Sequence, residues 1–104
     1  MNENNLTLLE IKSWMDARRS GLQNTEAWRG AQECEEEAIP FVVADFDGVD
    51  AMGQITGWVT GRFFFHVIRV SDGKEIYCRQ HLNVTSLHEL NPAYQEFLIH
   101  LKVH

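Results

Sequence analysis

The hydrophobic pattern of this chain changes its period twice, and that change restricts the possible folds more than any other feature. Between residues 27 and 82 apolar side chains tend to recur at every second position, as in strands with one face in a core. Before and after this stretch they recur at spacings of three and four, as along one side of a helix. The sequence therefore predicts a sheet between two helices. The candidate strands are Ala27–Glu33, Ile39–Phe46, Gly53–Val59, Arg62–Val70 and Lys74–Leu82.

Turn-forming pairs separate the candidate strands at three places: Asp47-Gly48, Thr60-Gly61 and Asp72-Gly73. Such pairs favour the positive φ angles of tight hairpins. Pro40 stands near the start of its strand, where a missing backbone donor is tolerated. Because the connections are short, successive strands are expected to pair as antiparallel neighbours in a meander.

Two helices are predicted to flank this meander. The first runs from about Leu6 to Leu22. The second is introduced by Ser86-x-x-Glu89, which has capping-box spacing, and by Asn91-Pro92, which is typical of a helix start. The predicted buried positions are Leu8, Ile11, Met15 and Leu22 with Trp14 at the edge of the first stripe, and Tyr94, Phe97, Leu98 and Leu101 in the second.

Length and composition support a single domain over residues 1–104. We expect an α+β, two-layer fold in which an antiparallel four- to five-stranded meander is flanked by an N-terminal and a C-terminal helix. A hydrophobic share of 44% and an aromatic share of 11% exclude a disordered chain. No apolar run approaches the ~20 residues of a membrane span, and the polar first residues do not resemble a secretory signal. With only two cysteines, a cytoplasmic location is expected.

Negative charge is concentrated in one quarter of the chain. The formal net charge is −6, and residues 26–50 carry eight carboxylates against the single base Arg29. A nucleic-acid partner is not expected, because binding one requires a basic surface. The acidic segment either keeps the protein soluble or steers a basic partner toward it. The acidic candidates for partner binding are Glu33, Glu35, Glu36, Glu37, Asp45 and Asp47.

The Asp72-Gly73 hairpin determines which side chains share a face. A two-residue turn would place Val67 opposite Cys78, whereas a three-residue turn would place Ile68 opposite Ile76. The second register is preferred because it pairs apolar side chains with each other and opposite charges with each other.

In this register the last two strands have two unequal faces. One face is expected to pack against the helices and comprises Phe64, His66, Ile68, Val70, Ile76, Cys78 and Leu82. The other mixes aromatic side chains with Arg and His, a composition enriched at interface centres. We interpret it as a binding surface; packing under the early strands and contact with a second copy are the alternatives. Its candidate anchors are Phe65, Tyr77, Arg79 and His81.

No residue pattern indicates catalysis, a cofactor or a metal. Cys34, Cys78, His66 and His81 lack the paired close spacings of zinc sites. The glycines within 53–61 do not form a phosphate-binding loop. A nucleophile would need a base and an orienting group in a cleft, and nothing marks Cys78 as activated. The chain is therefore not expected to be an enzyme.

Several features of the sequence occur together in an order that resembles a known protein family. They are an N-terminal amphipathic helix with Trp14, a strand with Trp58 before Gly61, the Asp72-Gly73 hairpin, and Ser86-Leu87-His88-Glu89-Leu90 at the start of a C-terminal helix. With the stretch from Gly53 to Tyr77, they resemble the TriTu family of small bacterial immunity proteins.

That family is associated with protection against ADP-ribosyltransferase toxins delivered between bacteria, with elongation factor Tu as the target. The resemblance implies a cytosolic antidote that binds its cognate toxin directly, and it supplies no catalytic residues. Our own expectation is that the protein neutralises the toxin by stoichiometric occlusion. From the residues, a small acidic secretion chaperone or adaptor remains the alternative. Neither interpretation involves nucleic acid or a membrane, and the free protein is expected to be a monomer or a weak homodimer.

Overall fold

The structure, a computed structural model, describes residues 6–20, 28–34 and 39–101, with the side chains of residues 6–17 and 39–101. Each strand pairs antiparallel with the next along the chain, in the order β1-β2-β3-β4-β5. The predicted α+β meander with a helix at each end is confirmed. The elements are α1 (Leu8–Ser20), β1 (Trp28–Cys34), β2 (Phe41–Gly48), β3 (Ala51–Trp58), β4 (Phe63–Arg69), β5 (Glu75–His81) and α2 (Asn91–Leu101).

Helix α1 begins two residues later than expected because Thr7 caps it. The Thr7 hydroxyl accepts the backbone N–H of Glu10 at 3.1 Å, and the Glu10 carboxylate accepts the backbone N–H of Thr7 at 3.2 Å. These reciprocal bonds satisfy donors that have no partner inside the helix. Ile11 and Met15 of the predicted stripe are buried, and Leu22 lies outside the described residues.

Helix α2 is preceded by a separate 3₁₀ turn, Leu87–Leu90. The predicted capping box is present at that turn: the backbone N–H of Ser86 donates to the Glu89 carboxylate at 3.0 Å. Pro92 lies in the first turn of α2, where its missing N–H breaks no helical bond. None of the described helices is long and apolar enough to cross a membrane.

The first hairpin turns later than its sequence suggests. Strand β2 continues through Asp47 and Gly48, and the chain reverses at Val49-Asp50, where Asp50 takes a φ of 52°. Gly48 is required for a different reason: a Cβ there would collide with the carbonyl oxygen of Leu101. The backbone N–H of Val49 donates to that same oxygen at 3.2 Å. Asp47-Gly48 therefore marks the contact between β2 and the end of α2, and the prediction of a turn there is wrong.

The last hairpin has the preferred register along most of its length. Phe65 pairs with Arg79 and Val67 with Tyr77. The register then shifts by one residue, so that Ile68 pairs with Glu75 and a bulge precedes the turn. The division of side chains between the two faces is therefore as predicted over residues 63–67.

The helices, however, cover the opposite face from the one expected. Phe63, Phe65 and Val67 are buried, whereas Phe64 and His66 are only partly buried. The strand register explains this reversal, because it aligns the covered face of β4 with apolar side chains of β2 and β3 and so forms the larger continuous apolar area. These aligned side chains are Val42, Ala44, Phe46 and Ile55. Of the side chains expected beneath the helices, Ile76 packs against the core, while Val70, Cys78 and Leu82 are exposed.

One aromatic core joins the two helices to this covered face. The Trp14 ring of α1 meets Phe63 and Phe65 edge-on, with centroids 6.4 and 6.5 Å apart. The Phe97 ring of α2 meets Phe46 at 5.1 Å and Phe65 at 6.0 Å. The predicted burial of Trp14, Phe97 and Leu101 in one core is confirmed, but Ile68 lies on the other face of the sheet.

Candidate functional site

The face of the sheet directed away from α1 and α2, here called the open face, is the candidate site. Both described helices pack on the other side, and most side chains of the open face are partly or fully exposed. Alternation along each strand and the pairing between strands place these side chains together. They are Phe41, Val43, Asp45, Asp47, Met52, Gln54, Thr56, Trp58, Phe64, His66, Ile68, Cys78 and Gln80.

Aromatic side chains gather at one end of the open face. Phe41 and Trp58 are directly paired across β2 and β3, and their ring centroids are 6.0 Å apart. The guanidinium carbon of Arg62 lies 4.8 Å from the Trp58 ring centroid, within the range of a cation–π interaction. Phe64 lies on β4, one strand beyond β3. We call Phe41, Trp58, Arg62 and Phe64 the aromatic end.

The turn after β3 positions Arg62 above Trp58. The backbone N–H of Trp58 donates to the Arg62 carbonyl at 2.9 Å, and that of Gly61 donates to the Trp58 carbonyl at 2.9 Å. Gly61 takes a φ of 92°, which an L side chain rarely adopts, so the glycine permits this tight reversal. The predicted turn at Thr60-Gly61 thus fixes the geometry of the aromatic end.

Polar groups occupy the middle of the open face. Asp45 accepts a hydrogen bond of 2.9 Å from the side-chain amide of Gln54, its cross-strand partner. His66 Nε2 lies 2.7 Å from a Glu75 carboxylate oxygen. The His66 ring also stacks on Phe64, with centroids 5.5 Å apart. These contacts orient the polar side chains before any partner arrives.

Cys78 lies directly opposite His66 in the β4–β5 pair, and its thiol is exposed. A thiol beside an imidazole is a combination that nucleophilic catalysis uses, provided that a cleft also positions the substrate. Neither residue lines the described cavity, which is on another part of the molecule. Across the described residues, no group of three or more His, Cys, Asp or Glu side chains could hold a metal ion.

That cavity has a volume of about 410 Å³ and lies at the end of α2. Its charged groups already have partners in the fold: the Asp50 carboxylate accepts bonds from the Ser71 backbone and hydroxyl, and Arg69 pairs with Asp72 at 3.0 Å. The cavity is lined by Val49, Asp50, Ala51, Arg69, Ile76, Ile99 and His100. Asp50 and Arg69 therefore stabilise turns, while His100 contacts the Glu96 carbonyl and the Tyr77 ring.

The four predicted aromatic and basic anchors lie on the covered side of the sheet, where Phe65 and Tyr77 are buried, His81 is partly buried and Arg79 is exposed. Phe65 is 0% exposed and Tyr77 7% exposed, so the expectation that their face is open is wrong. The Tyr77 hydroxyl donates to the Ala93 carbonyl at 3.2 Å, and burial raises the pKa of that hydroxyl above its ordinary value. Arg79 lies 3.6 Å from the Glu96 carboxylate at the exposed margin, and His81 meets the Phe65 ring edge-on at 5.9 Å.

The acidic candidates divide between described and undescribed parts of the chain. Asp45 and Asp47 lie on the open face. The side chain of Glu33 and the whole of Glu35, Glu36 and Glu37 lie outside the described residues, so their binding role stays a prediction. Sequence reasoning missed the whole aromatic end: neither Trp58 nor Arg62 was a candidate for the site, and nor were Phe41 and Phe64. The period-two pattern of β2 and β4 could have identified Phe41 and Phe64, if it had been combined with the pairing of both strands to β3.

Comparison with known proteins adds one match. The family model described as immunity protein TriTu matches residues 9–100 of the chain. A search of curated proteins finds no match. Because the family model spans all the described elements except the first residue of α1 and the last of α2, the match covers the core and the open face alike. The chain belongs to the TriTu family of immunity proteins.

Proposed function

We propose that this protein neutralises a cognate toxin by binding it in a one-to-one complex that occludes the toxin. The family supplies the general role of an immunity protein with a toxin as its partner. The open face supports the binding mechanism: aromatic and carboxylate side chains lie on one face of the sheet with Arg62 beside them, and the other face packs against two helices. A rigid, pre-oriented surface loses little conformational entropy on binding.

The toxin we propose is an interbacterial ADP-ribosyltransferase that modifies elongation factor Tu, as the resemblance implies. Such an enzyme binds the anionic dinucleotide NAD, so positively charged groups are expected around its cleft. The net charge of −6 on this chain would favour encounter with that surface. We place the complex in the cytoplasm, where elongation factor Tu is found, and propose delivery of the toxin by a system of the type VI class.

A titration of toxin activity against antidote distinguishes binding from turnover. The purified toxin is held at a fixed concentration well above the dissociation constant, and ADP-ribosylation of elongation factor Tu is followed as the protein is added. Inhibition should rise linearly and end at about one molecule of antidote per toxin, since each complex removes one enzyme.

Two results would contradict this proposal. Full inhibition at far less than one equivalent would mean that the protein acts catalytically. Stable complex formation without loss of toxin activity would favour the secretion chaperone or adaptor instead.

A further inference from the structure

We propose, on the basis of the proposed function, that the toxin docks on the open face, with an apolar side chain at the aromatic end and a basic segment over Asp45 and Asp47. This surface follows from the geometry of the chain alone.

The aromatic end has the composition of an interface anchor. Trp and Arg are the residue types whose truncation most often causes large losses of affinity, especially near the centre of a contact surface. Phe41, Trp58 and Phe64 are each partly buried by their neighbours, so their orientation is set while part of each ring is accessible. Arg62 adds a flat cation above Trp58.

The neighbouring carboxylates determine the chemistry of the partner. Asp45 and Asp47 project from the same face of β2 as Phe41, two and three alternations along the strand. The amide of Gln54 holds the Asp45 carboxylate in place and is itself exposed. An apolar anchor beside two carboxylates fits a segment that carries Lys or Arg next to an apolar side chain.

Charge also argues against a second copy of this chain as the occupant. Two open faces in contact would bury four aspartates in one interface, between chains that each have a formal charge of −6. Like charges opposed across an interface are costly. A basic partner removes that cost, and a toxin that binds NAD is expected to have such a surface.

Two variants test the aromatic end. Trp58→Ala and Arg62→Ala should each weaken binding of the purified toxin more than tenfold, measured as the dissociation constant by calorimetry. Arg62 is exposed, so its removal leaves the core intact even if Trp58→Ala loses stability. The matched control is Ile99→Ala, which truncates an exposed apolar side chain on α2 and should leave affinity unchanged.

A charge-neutralising pair tests the basic segment. Asp45→Asn together with Asp47→Asn should slow association with the toxin several-fold at low salt and flatten its salt dependence. Asp16→Asn, an exposed position on α1, is the control for net charge and should have a much smaller effect.

The outcomes separate this inference from the proposed function. If the wild-type protein fails to bind the toxin, the proposed function and the docking surface are both overturned. If the wild type binds and inhibits while both aromatic-end variants keep its affinity, only the docking surface is overturned. A free protein that is dimeric and becomes monomeric with Arg62→Ala would assign the surface to a second copy and overturn the inference as well.

Discussion

Tyr77 fills the core with its ring while its hydroxyl finds a specific acceptor. The ring stacks on His100 with centroids 4.6 Å apart, and the hydroxyl donates to the Ala93 carbonyl. Burial, together with the nearby Glu96 carboxylate, raises the pKa of the hydroxyl above its ordinary value of 10.0. The neutral phenol is therefore favoured in the folded state.

This raised pKa predicts a loss of stability in alkali. Up to about pH 10 the Tyr77 hydroxyl is protonated in both the folded and the unfolded state, so its full contribution to the free energy of unfolding is present. At higher pH the unfolded chain ionises first, so the free energy of unfolding should fall as pH rises through the folded pKa. Tyr77→Phe should lose about 1 kcal/mol near neutral pH but show a shallower decline above pH 10 in urea unfolding. Parallel declines for the two proteins would show that another group controls stability in alkali.

Phe97 packs α2 against two strands of the sheet. It is 0% exposed and contacts rings from β2 and β4. Phe97→Ala should lower the free energy of unfolding by about 3–5 kcal/mol, because a large cavity would remain. Ile99→Ala, two positions along and 72% exposed, should change it by less than about 0.5 kcal/mol. Equal effects of the two substitutions would contradict the packing described here.

The contact between β3 and α2 depends on a missing side chain. Gly53 lies on the covered face, and a Cβ there would be 2.5 Å from Cζ of Phe97. Gly53→Ala should therefore destabilise the fold by about 1–3 kcal/mol through overpacking. In a Phe97→Leu background the same substitution should cost less, because the ring that it strikes is gone. A penalty of the same size in both backgrounds would place the strain elsewhere.

The helices and strands were largely predictable, but the covered face of the sheet was not. Local periodicity located both helices and β2 to β5, because it depends on neighbours in sequence. The choice between faces depends on which side chains become adjacent across strands. In the last hairpin alone, both faces of β4 are apolar. Phe64 and Ile68 on one face are as good candidates for the core as Phe65 and Val67 on the other. Only the alignment with Phe46 and Ile55 decides between them.

This reversal also changed the candidate site. Because the face division within β4 was correct, exchanging the covered and open sides moved Phe65 and Tyr77 into the core and left Phe64 and His66 outside. Asp45 and Asp47 were selected for their charge alone, so the mistaken assignment of the covered face did not affect their selection. The structure places both on the open face. A binding role for Arg79, at the exposed margin beside α2, stays a prediction.

In the molecule as a whole, one face of the sheet forms the core and the other forms the proposed binding surface. The covered face joins both helices through a single aromatic core, and the open face has aromatic, basic and acidic side chains in fixed relation to one another. This division lets the protein keep its shape while one surface is available for recognition. It also means that surface substitutions on the open face should alter binding more than stability.

Hydroxyl-radical footprinting of the protein, alone and in its toxin complex, tests this central claim most directly. Met52, Trp58 and Phe64 lie on the open face and should each be oxidised several-fold more slowly in the complex. Leu9 and Ile99, exposed on the two helices, should react at the same rate in both samples. Protection of Leu9 and Ile99 with unchanged oxidation of Trp58 and Phe64 would contradict the account, because the toxin would then be bound on the helical side.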